Sequence, residues 1–161
     1  MTLEAKAGGA LSPGRALLYA AVVVGLVDFL YATIFVVSRG RPWYRPWMGV
    51  ASAVLGPDSF NGGYRSAALG IVLHFGVATG IAGVYLLASR VLPVLRRMPL
   101  LWGLAYGAVA FFVMNLVVIP LTRIGRQPLV WGAFNVGAII CHVLLIGPAA
   151  AYFASRVRST R

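Results

Sequence analysis

The sequence predicts an all-α membrane protein whose four transmembrane helices form one up-down-up-down bundle. Of its 161 residues, 60% are hydrophobic and only 11% are charged, whereas soluble domains carry roughly 25% charged residues. The chain contains four apolar runs, each reaching the length of about 20 residues that crosses the hydrocarbon core. Arginines collect at the ends of these runs, where basic residues of membrane proteins meet the headgroups. At this length we expect a single domain over residues 1–161.

Span 1 is predicted over residues 16–37, and its apolar sequence is interrupted only by Asp28. The run is too long for a cleavable signal peptide, so we interpret it as a membrane span. The connection that follows is the longest one, and it contains basic and aromatic residues of the kind that anchor at the headgroup level. These residues are Arg39, Arg41, Trp43, Tyr44, Arg45 and Trp47. The apolar sequence after Pro46 predicts a short helix lying along the membrane interface.

Span 2 is predicted over residues 66–88, and it has two different faces. Its only strongly polar side chain is His74, which needs polar partners because an unsatisfied polar group is costly in hydrocarbon. On a helical wheel, Gly76, Gly80 and Gly83 form a stripe roughly opposite the histidine. Small residues at this spacing let another backbone come close. We therefore expect His74 to face into the bundle and the glycine stripe to face outward, toward a homo-oligomer or a larger membrane complex.

Spans 3 and 4 are predicted over residues 100–121 and 130–153. In span 3, Gly103 and Gly107 have the same four-residue spacing as the first two glycines of the stripe, and we expect them to pack against another helix. Because the connection between spans 2 and 3 is short, these two spans should be antiparallel neighbours. The polar residues of spans 3 and 4 are Asn115, Asn135 and His142.

The order of residues also predicts an internal repeat of two two-span halves. Tyr19 precedes Asp28 in span 1, and Tyr106 precedes Asn115 in span 3 by the same interval. Spans 2 and 4 each contain a histidine and end in the sequence Ala-Ser-Arg-Val. The halves would then be related by an axis along the membrane normal. The two histidines lie at different distances from those ends, so the repeat requires a helix irregularity, for which Pro148 is a candidate cause.

A polar cluster is expected inside the bundle. Counted from the same ends of the spans, Asp28, His74, Asn115 and His142 fall within a slab less than ~10 Å thick. Alternate spans of such a bundle lie on a diagonal, so the two histidines should face each other across its axis. Asn135 lies two helical turns before His142 and hence on the same face. These five residues form the predicted site for a proton, an ion or a small ligand.

Four interpretations of this cluster stay open. In the plainest one, the side chains only hydrogen-bond to one another and fix the helix register. In the second they relay a proton or an ion, since Asp and His are the usual relay side chains in membrane bundles. In the third His74 and His142 bind haem b as axial ligands, although the glycine stripe is on the wrong face to clear space for a porphyrin. In the fourth His74, His142 and Asp28 bind a transition metal.

Other functional classes are excluded or weakened. The net charge of +11 invites a nucleic-acid interpretation, but no basic helical face interleaved with aromatic residues occurs. The basic residues suit anionic lipid headgroups, which makes the bilayer the expected partner. Catalysis has little support, because the sequence shows no nucleophile beside an activating base and no phosphate-binding glycine loop. The one cysteine, Cys141, rules out an internal disulfide.

Two stretches, SAALGIVLHFGVATGIAGVYLLASR (residues 66–90) and YGAVAFFVMNLVVIPLTR (residues 106–123), resemble those of small four-span bacterial membrane proteins. The resemblance implies a bacterial inner-membrane protein and carries over no functional residues. A small excess of basic residues favours cytoplasmic termini. The leading interpretation is a small membrane protein whose polar site binds or relays a proton, an ion or a small ligand. The alternatives are an accessory subunit that docks through its glycine faces and a haem b protein with two axial histidines.

Overall fold

The computed structural model describes residues 10–157, which fold into helices joined by turns and form no strand. Four helices are long and apolar enough to cross a membrane, which confirms the all-α class and indicates a membrane protein. Span 1 is Pro13–Ser38, span 2 is Gly63–Val91, span 3 is Pro99–Leu121 and span 4 is Ala133–Ser155. A shorter helix, the connecting helix, is Arg45–Leu55 and leads into a 3₁₀ turn, Gly56–Asn61. One helical turn, Val94–Arg97, lies between spans 2 and 3.

Local sequence explains where several helices begin. At the start of span 1, the Ser12 hydroxyl accepts a hydrogen bond from the Arg15 N–H at 3.4 Å. Span 1, the connecting helix and span 3 all carry a proline in their first turn. Proline has no N–H to leave unpaired there, and its fixed φ already suits a helix. The connecting helix coincides with the predicted short helix, and its position along a membrane interface remains a prediction.

Span 1 packs along both span 2 and span 4, and span 4 also packs along span 3. Spans 2 and 3, which the short connection predicts to be antiparallel neighbours, touch mainly through side chains. The rings of Tyr85 and Tyr106 lie edge-on with a centroid separation of 5.0 Å. The Tyr106 hydroxyl bridges the two spans by donating a hydrogen bond to the Ile81 carbonyl at 2.6 Å. Close packing of span 3 is directed instead toward span 4, because its glycines face that helix.

The backbones of spans 3 and 4 touch where they cross. A Cβ atom on Gly107 would overlap the His142 carbonyl, and one on Gly103 would lie 2.8 Å from the Cα of Pro148. On span 4, a Cβ atom on Gly147 would overlap the Gly103 carbonyl. Since the obstructing atoms belong to backbone, the helices would have to separate to admit any larger residue. Gly103 and Gly107 therefore lie at a helix contact inside the bundle.

Spans 3 and 4 each contain a π-helical turn, Met114–Val118 and His142–Ile146 respectively. A proline follows each turn, Pro120 in span 3 and Pro148 in span 4, and its missing N–H breaks the regular hydrogen-bond ladder. A π turn adds one residue, so it rotates the rest of the helix by about 100°. An irregularity is thus present beside Pro148, and span 3 has one of the same kind. The repeat of two halves stays a prediction.

Different contacts tie together the two ends of the bundle. At one end, which we call the terminal end, the Leu11 N–H donates a hydrogen bond to the Arg156 carbonyl at 2.8 Å. At the opposite, distal end, the Arg123 N–H donates to the Ala53 carbonyl at 3.0 Å. This bond holds the loop between spans 3 and 4 on the connecting helix. The chain ends themselves, which the sequence predicts to be cytoplasmic, lie outside the described residues.

Candidate functional site

A carboxylate and an imidazole meet inside the bundle, Asp28 on span 1 and His74 on span 2. The Nε2 of His74 lies 2.9 Å from the Gly25 carbonyl oxygen, within hydrogen-bond distance. The Nδ1 of the same ring lies 3.8 Å from Oδ2 of Asp28. Gly25 and Asp28 are three residues apart, so one face of span 1 meets both ring nitrogens. A glycine at position 25 permits this approach, because a Cβ atom there would lie 2.5 Å from the Phe75 ring.

The contact with Gly25 fixes the tautomer of His74. A carbonyl oxygen only accepts hydrogen bonds, so Nε2 carries the hydrogen and donates it. In the neutral imidazole, Nδ1 is then an acceptor, and it faces a carboxylate that is also only an acceptor when ionised. Two acceptors repel each other unless one of them holds a proton. A proton on either group would make the contact one between a donor and an acceptor. We call these two groups the Asp28–His74 pair.

The carboxylate is the more open member of this pair. The side chain of Asp28 is 30% exposed, whereas that of His74 is 9% exposed. The helix that carries Asp28, span 1, packs along both span 2 and span 4. The separation of 3.8 Å exceeds a direct hydrogen bond, and one water molecule or a small rotation of the carboxylate would bridge it. Asp28 is therefore the member of the pair that is not fully enclosed by the bundle.

Aromatic side chains enclose the His74 ring. Trp47 lies edge-on to it with a centroid separation of 4.9 Å, and Phe75 lies edge-on at 5.3 Å. Trp47 also stacks on Phe29 of span 1 at 4.3 Å and is only 1% exposed. The connecting helix comes this close because a Cβ atom on Gly70 of span 2 would overlap the Trp47 carbonyl. His74 is therefore covered on the side of the connecting helix.

The buried Trp47 departs from its predicted role as a headgroup anchor, since a buried ring cannot reach a headgroup. The missed signal is the amphipathic pattern of the connecting helix, whose buried face consists of Trp47, Met48, Ala51 and Ser52. Gly25 was missed for another reason: its contribution is a backbone carbonyl, for which the sequence has no signal. The other predicted anchors stay at the surface, with Arg39, Arg41, Trp43 and Arg45 exposed and Tyr44 half-buried.

The other predicted site residues do not join the pair, because each hydrogen-bonds to a nearby carbonyl in the chain. The Nδ2 of Asn115 donates to the Phe111 carbonyl at 2.9 Å, and the Nδ2 of Asn135 donates to the Val130 carbonyl at 2.7 Å. The Nδ1 of His142 lies 2.9 Å from the Ala138 carbonyl, one turn earlier. Such local bonds satisfy a polar side chain without a partner helix. Of the four polar residues expected to converge, only Asp28 and His74 come together.

The metal alternative does not fit the described residues, and the two histidines of the haem alternative lie in different helix contacts. Within residues 10–157, no three His, Cys, Asp or Glu side chains come close enough to hold a metal ion, so His74, His142 and Asp28 are not a ligand set. Both ring nitrogens of His74 already face span 1, toward Gly25 and Asp28. The π turn that carries His142 packs on spans 1 and 3. The two imidazoles therefore belong to different helix contacts.

Two of the three glycines of the stripe lie on the outside of span 2, opposite the buried His74, whereas Gly83 lies beside span 1. Gly76 and Gly80 are exposed, and a Cβ atom on either would meet no atom within 4 Å. On Gly83 a Cβ atom would lie 3.7 Å from the Leu17 side chain.

Comparison of the chain with protein-family models, curated proteins and solved structures finds no match. The bacterial inner membrane remains the predicted location.

Proposed function

We propose that this small membrane protein relays protons through the Asp28–His74 pair. The observation that carries the proposal is the position of the His74 Nδ1, an acceptor 3.8 Å from Oδ2 of Asp28. The hydrogen bond from Nε2 to the Gly25 carbonyl, at 2.9 Å, holds the ring in this orientation. Asp and His are the usual relay side chains inside membrane bundles. Of the ligands considered, the proton is the one that needs no groups beyond these two.

The charge of the pair supports the same choice. With one proton the pair is neutral overall, and without it the pair carries one negative charge. No arginine or lysine among residues 10–157 lies within 4.0 Å of Asp28, so no nearby cation compensates that charge. An uncompensated charge in surroundings of low dielectric constant is unfavourable. A relay through the pair would therefore carry one proton at a time, and the pair returns to neutrality when the proton is replaced.

The surroundings of the pair give the relay a direction. Asp28 is the partly exposed member, whereas Trp47 and Phe29 cover His74 on the side of the connecting helix. Transfer from Asp28 to Nδ1 needs the two groups to approach by about 1 Å, to hydrogen-bond distance. For release, the proton taken up at Nδ1 has to leave from the same nitrogen, because Nε2 keeps its hydrogen bond to Gly25. Its acceptor is a water molecule that enters when Trp47 moves away from the His74 ring. The connecting helix is therefore the moving part of the proposed relay.

Proton flux into vesicles tests this proposal. Proteoliposomes that enclose a pH-sensitive dye should acidify faster than empty vesicles under an imposed proton gradient. Asp28→Asn should lower the flux to the empty-vesicle level, because an amide does not exchange a proton with the imidazole as a carboxyl does. The matched control is Asp58→Asn, which changes an exposed carboxylate in the 3₁₀ turn and should keep wild-type flux. Flux that is absent in wild type, or unaffected by Asp28→Asn, would contradict the proposal.

A subunit that docks onto another membrane protein is the second candidate function. The observation in its favour is the open surface beside Gly76 and Gly80, where a partner helix could approach closely. Docking alone moves no protons, so the flux assay separates the two candidates. Wild-type vesicles without flux would favour docking over the relay.

A further inference from the structure

An open groove of about 430 Å³ lies at the distal end of the bundle. It runs between the start of the connecting helix and the end of the 3₁₀ turn, beside the first residue of span 2. Its lining includes Arg41, Tyr44, Arg45, Met48, Phe60 and Asn61. The lining of the groove differs from the proposed relay site, because it combines cationic and apolar side chains and includes no carboxylate.

Two guanidinium groups give the groove its charge. Within the part of the chain that the structure describes, no carboxylate lies within 4.0 Å of Arg41 or Arg45, so neither charge is neutralised by an ion pair. The guanidinium of Arg45 lies 4.7 Å from the centre of the Phe60 ring, which restricts its position. Guanidinium groups bind phosphate through several parallel hydrogen bonds. The charged side of the groove is therefore complementary to a phosphate.

The remaining lining is apolar. Met48 is 3% exposed and lies at the base of the groove, and Phe60 is 40% exposed. A free phosphate ion gains nothing from such a surface, whereas a phosphate that carries hydrocarbon buries apolar area against it. The groove also lies where span 1 has ended and span 2 begins, at the level expected for headgroups if these helices cross a bilayer.

We propose that this groove binds the headgroup phosphate of one anionic phospholipid. Arg41 and Arg45 hold the phosphate, and the exposed part of Phe60 contacts the glycerol and the first part of the acyl chains. Such a site differs from general headgroup anchoring, because it binds one lipid molecule at one place and prefers a headgroup with net negative charge. It does not depend on the proton relay.

Native mass spectrometry of the detergent-solubilised full chain tests this proposal. Phosphatidylglycerol and phosphatidylcholine with the same acyl chains are titrated separately, and we expect one phosphatidylglycerol adduct at concentrations about tenfold below those needed for phosphatidylcholine. The double variant Arg41→Gln/Arg45→Gln should lose this preference. The matched control, Arg90→Gln/Arg97→Gln, removes two exposed arginines at the terminal end and should keep it. Arg41→Gln alone, which leaves the Arg45 contact with Phe60 intact, should weaken the adduct in a folded protein.

Three results would overturn the proposal. Equal loss of the adduct in both double variants would mean that binding follows net charge and not the groove. Equal binding of the two lipids would remove the preference for an anionic headgroup. Full competition by glycerol phosphate, which has the headgroup without acyl chains, would assign the groove to a free phosphate compound. None of these results would bear on the proton relay, because the relay uses neither Arg41 nor Arg45.

Discussion

Proteoliposomes that contain His74→Gln should show no more proton flux than empty vesicles, although the variant remains folded. The glutamine amide can donate to the Gly25 carbonyl in place of Nε2, so the contact between spans 1 and 2 keeps its buried hydrogen bond. The amide has no nitrogen lone pair that binds a proton as imidazole does. Asp28 then faces a group that cannot take its proton, and transfer stops. The measured quantity is the initial rate of the dye response.

The second histidine supplies a matched control for this change. His142 is also buried, and its Nδ1 contact with the Ala138 carbonyl can likewise be made by a glutamine amide. His142→Gln should therefore retain wild-type flux, because His142 lies at the contact of spans 3 and 4 and not in the pair. Retained flux in His74→Gln would remove the imidazole from the relay. Equal loss in both variants would show that the relay is not confined to the Asp28–His74 pair.

Gly107→Ala should strongly destabilise the bundle. The added Cβ atom would overlap the backbone carbonyl of His142, and no side-chain rotation can remove that overlap. Spans 3 and 4 would have to separate, which lowers the free energy of unfolding by about 1–3 kcal/mol or more, as overpacking of interiors does. Reversible unfolding in mixed micelles, followed by circular dichroism, measures the change.

The same substitution on the glycine stripe is the control. A Cβ atom on Gly76 would meet no atom within 4 Å, so Gly76→Ala introduces no overlap within the chain. Alanine is also the better helix former by about 1 kcal/mol, and the stability should stay equal or rise slightly. A loss of stability in Gly76→Ala as large as that in Gly107→Ala would contradict the packing described for spans 3 and 4.

Hydropathy and helical periodicity were sufficient to predict the four spans and the two faces of span 2. A run of apolar residues must be helical to satisfy its backbone in a bilayer, and the 3.6-residue period places His74 opposite Gly76 and Gly80. The same period could not predict that the closest backbone contact of span 3 is with span 4. That outcome depends on Gly107, whose place against the His142 carbonyl is set by contacts between distant parts of the chain.

The candidate site was predictable only in part, for the same reason. Counting residues from the ends of the spans placed Asp28 and His74 at the same depth in the bundle, and the two side chains do meet. Depth also placed Asn115 and His142 there, but a polar side chain can bond to a carbonyl of its own helix, and both do so. The π turns at these positions alter the helix register in a way that a regular wheel does not include. The Gly25 carbonyl, which orients the imidazole, has no signature in the sequence.

The protonation of the two His74 ring nitrogens is the most direct test of the proposed relay. Nitrogen-15 NMR of histidine-labelled protein in bilayers distinguishes protonated from bare ring nitrogens, and His142→Gln leaves a single histidine to assign. We expect Nε2 of His74 to stay protonated, bonded to the Gly25 carbonyl, while Nδ1 gains and loses its proton as the pH is changed. Asp28→Asn should alter the pH response of Nδ1 and leave Nε2 unchanged. A bare Nε2 with a permanently protonated Nδ1, or a ring that never changes its protonation while the protein stays folded, would contradict a relay at this pair.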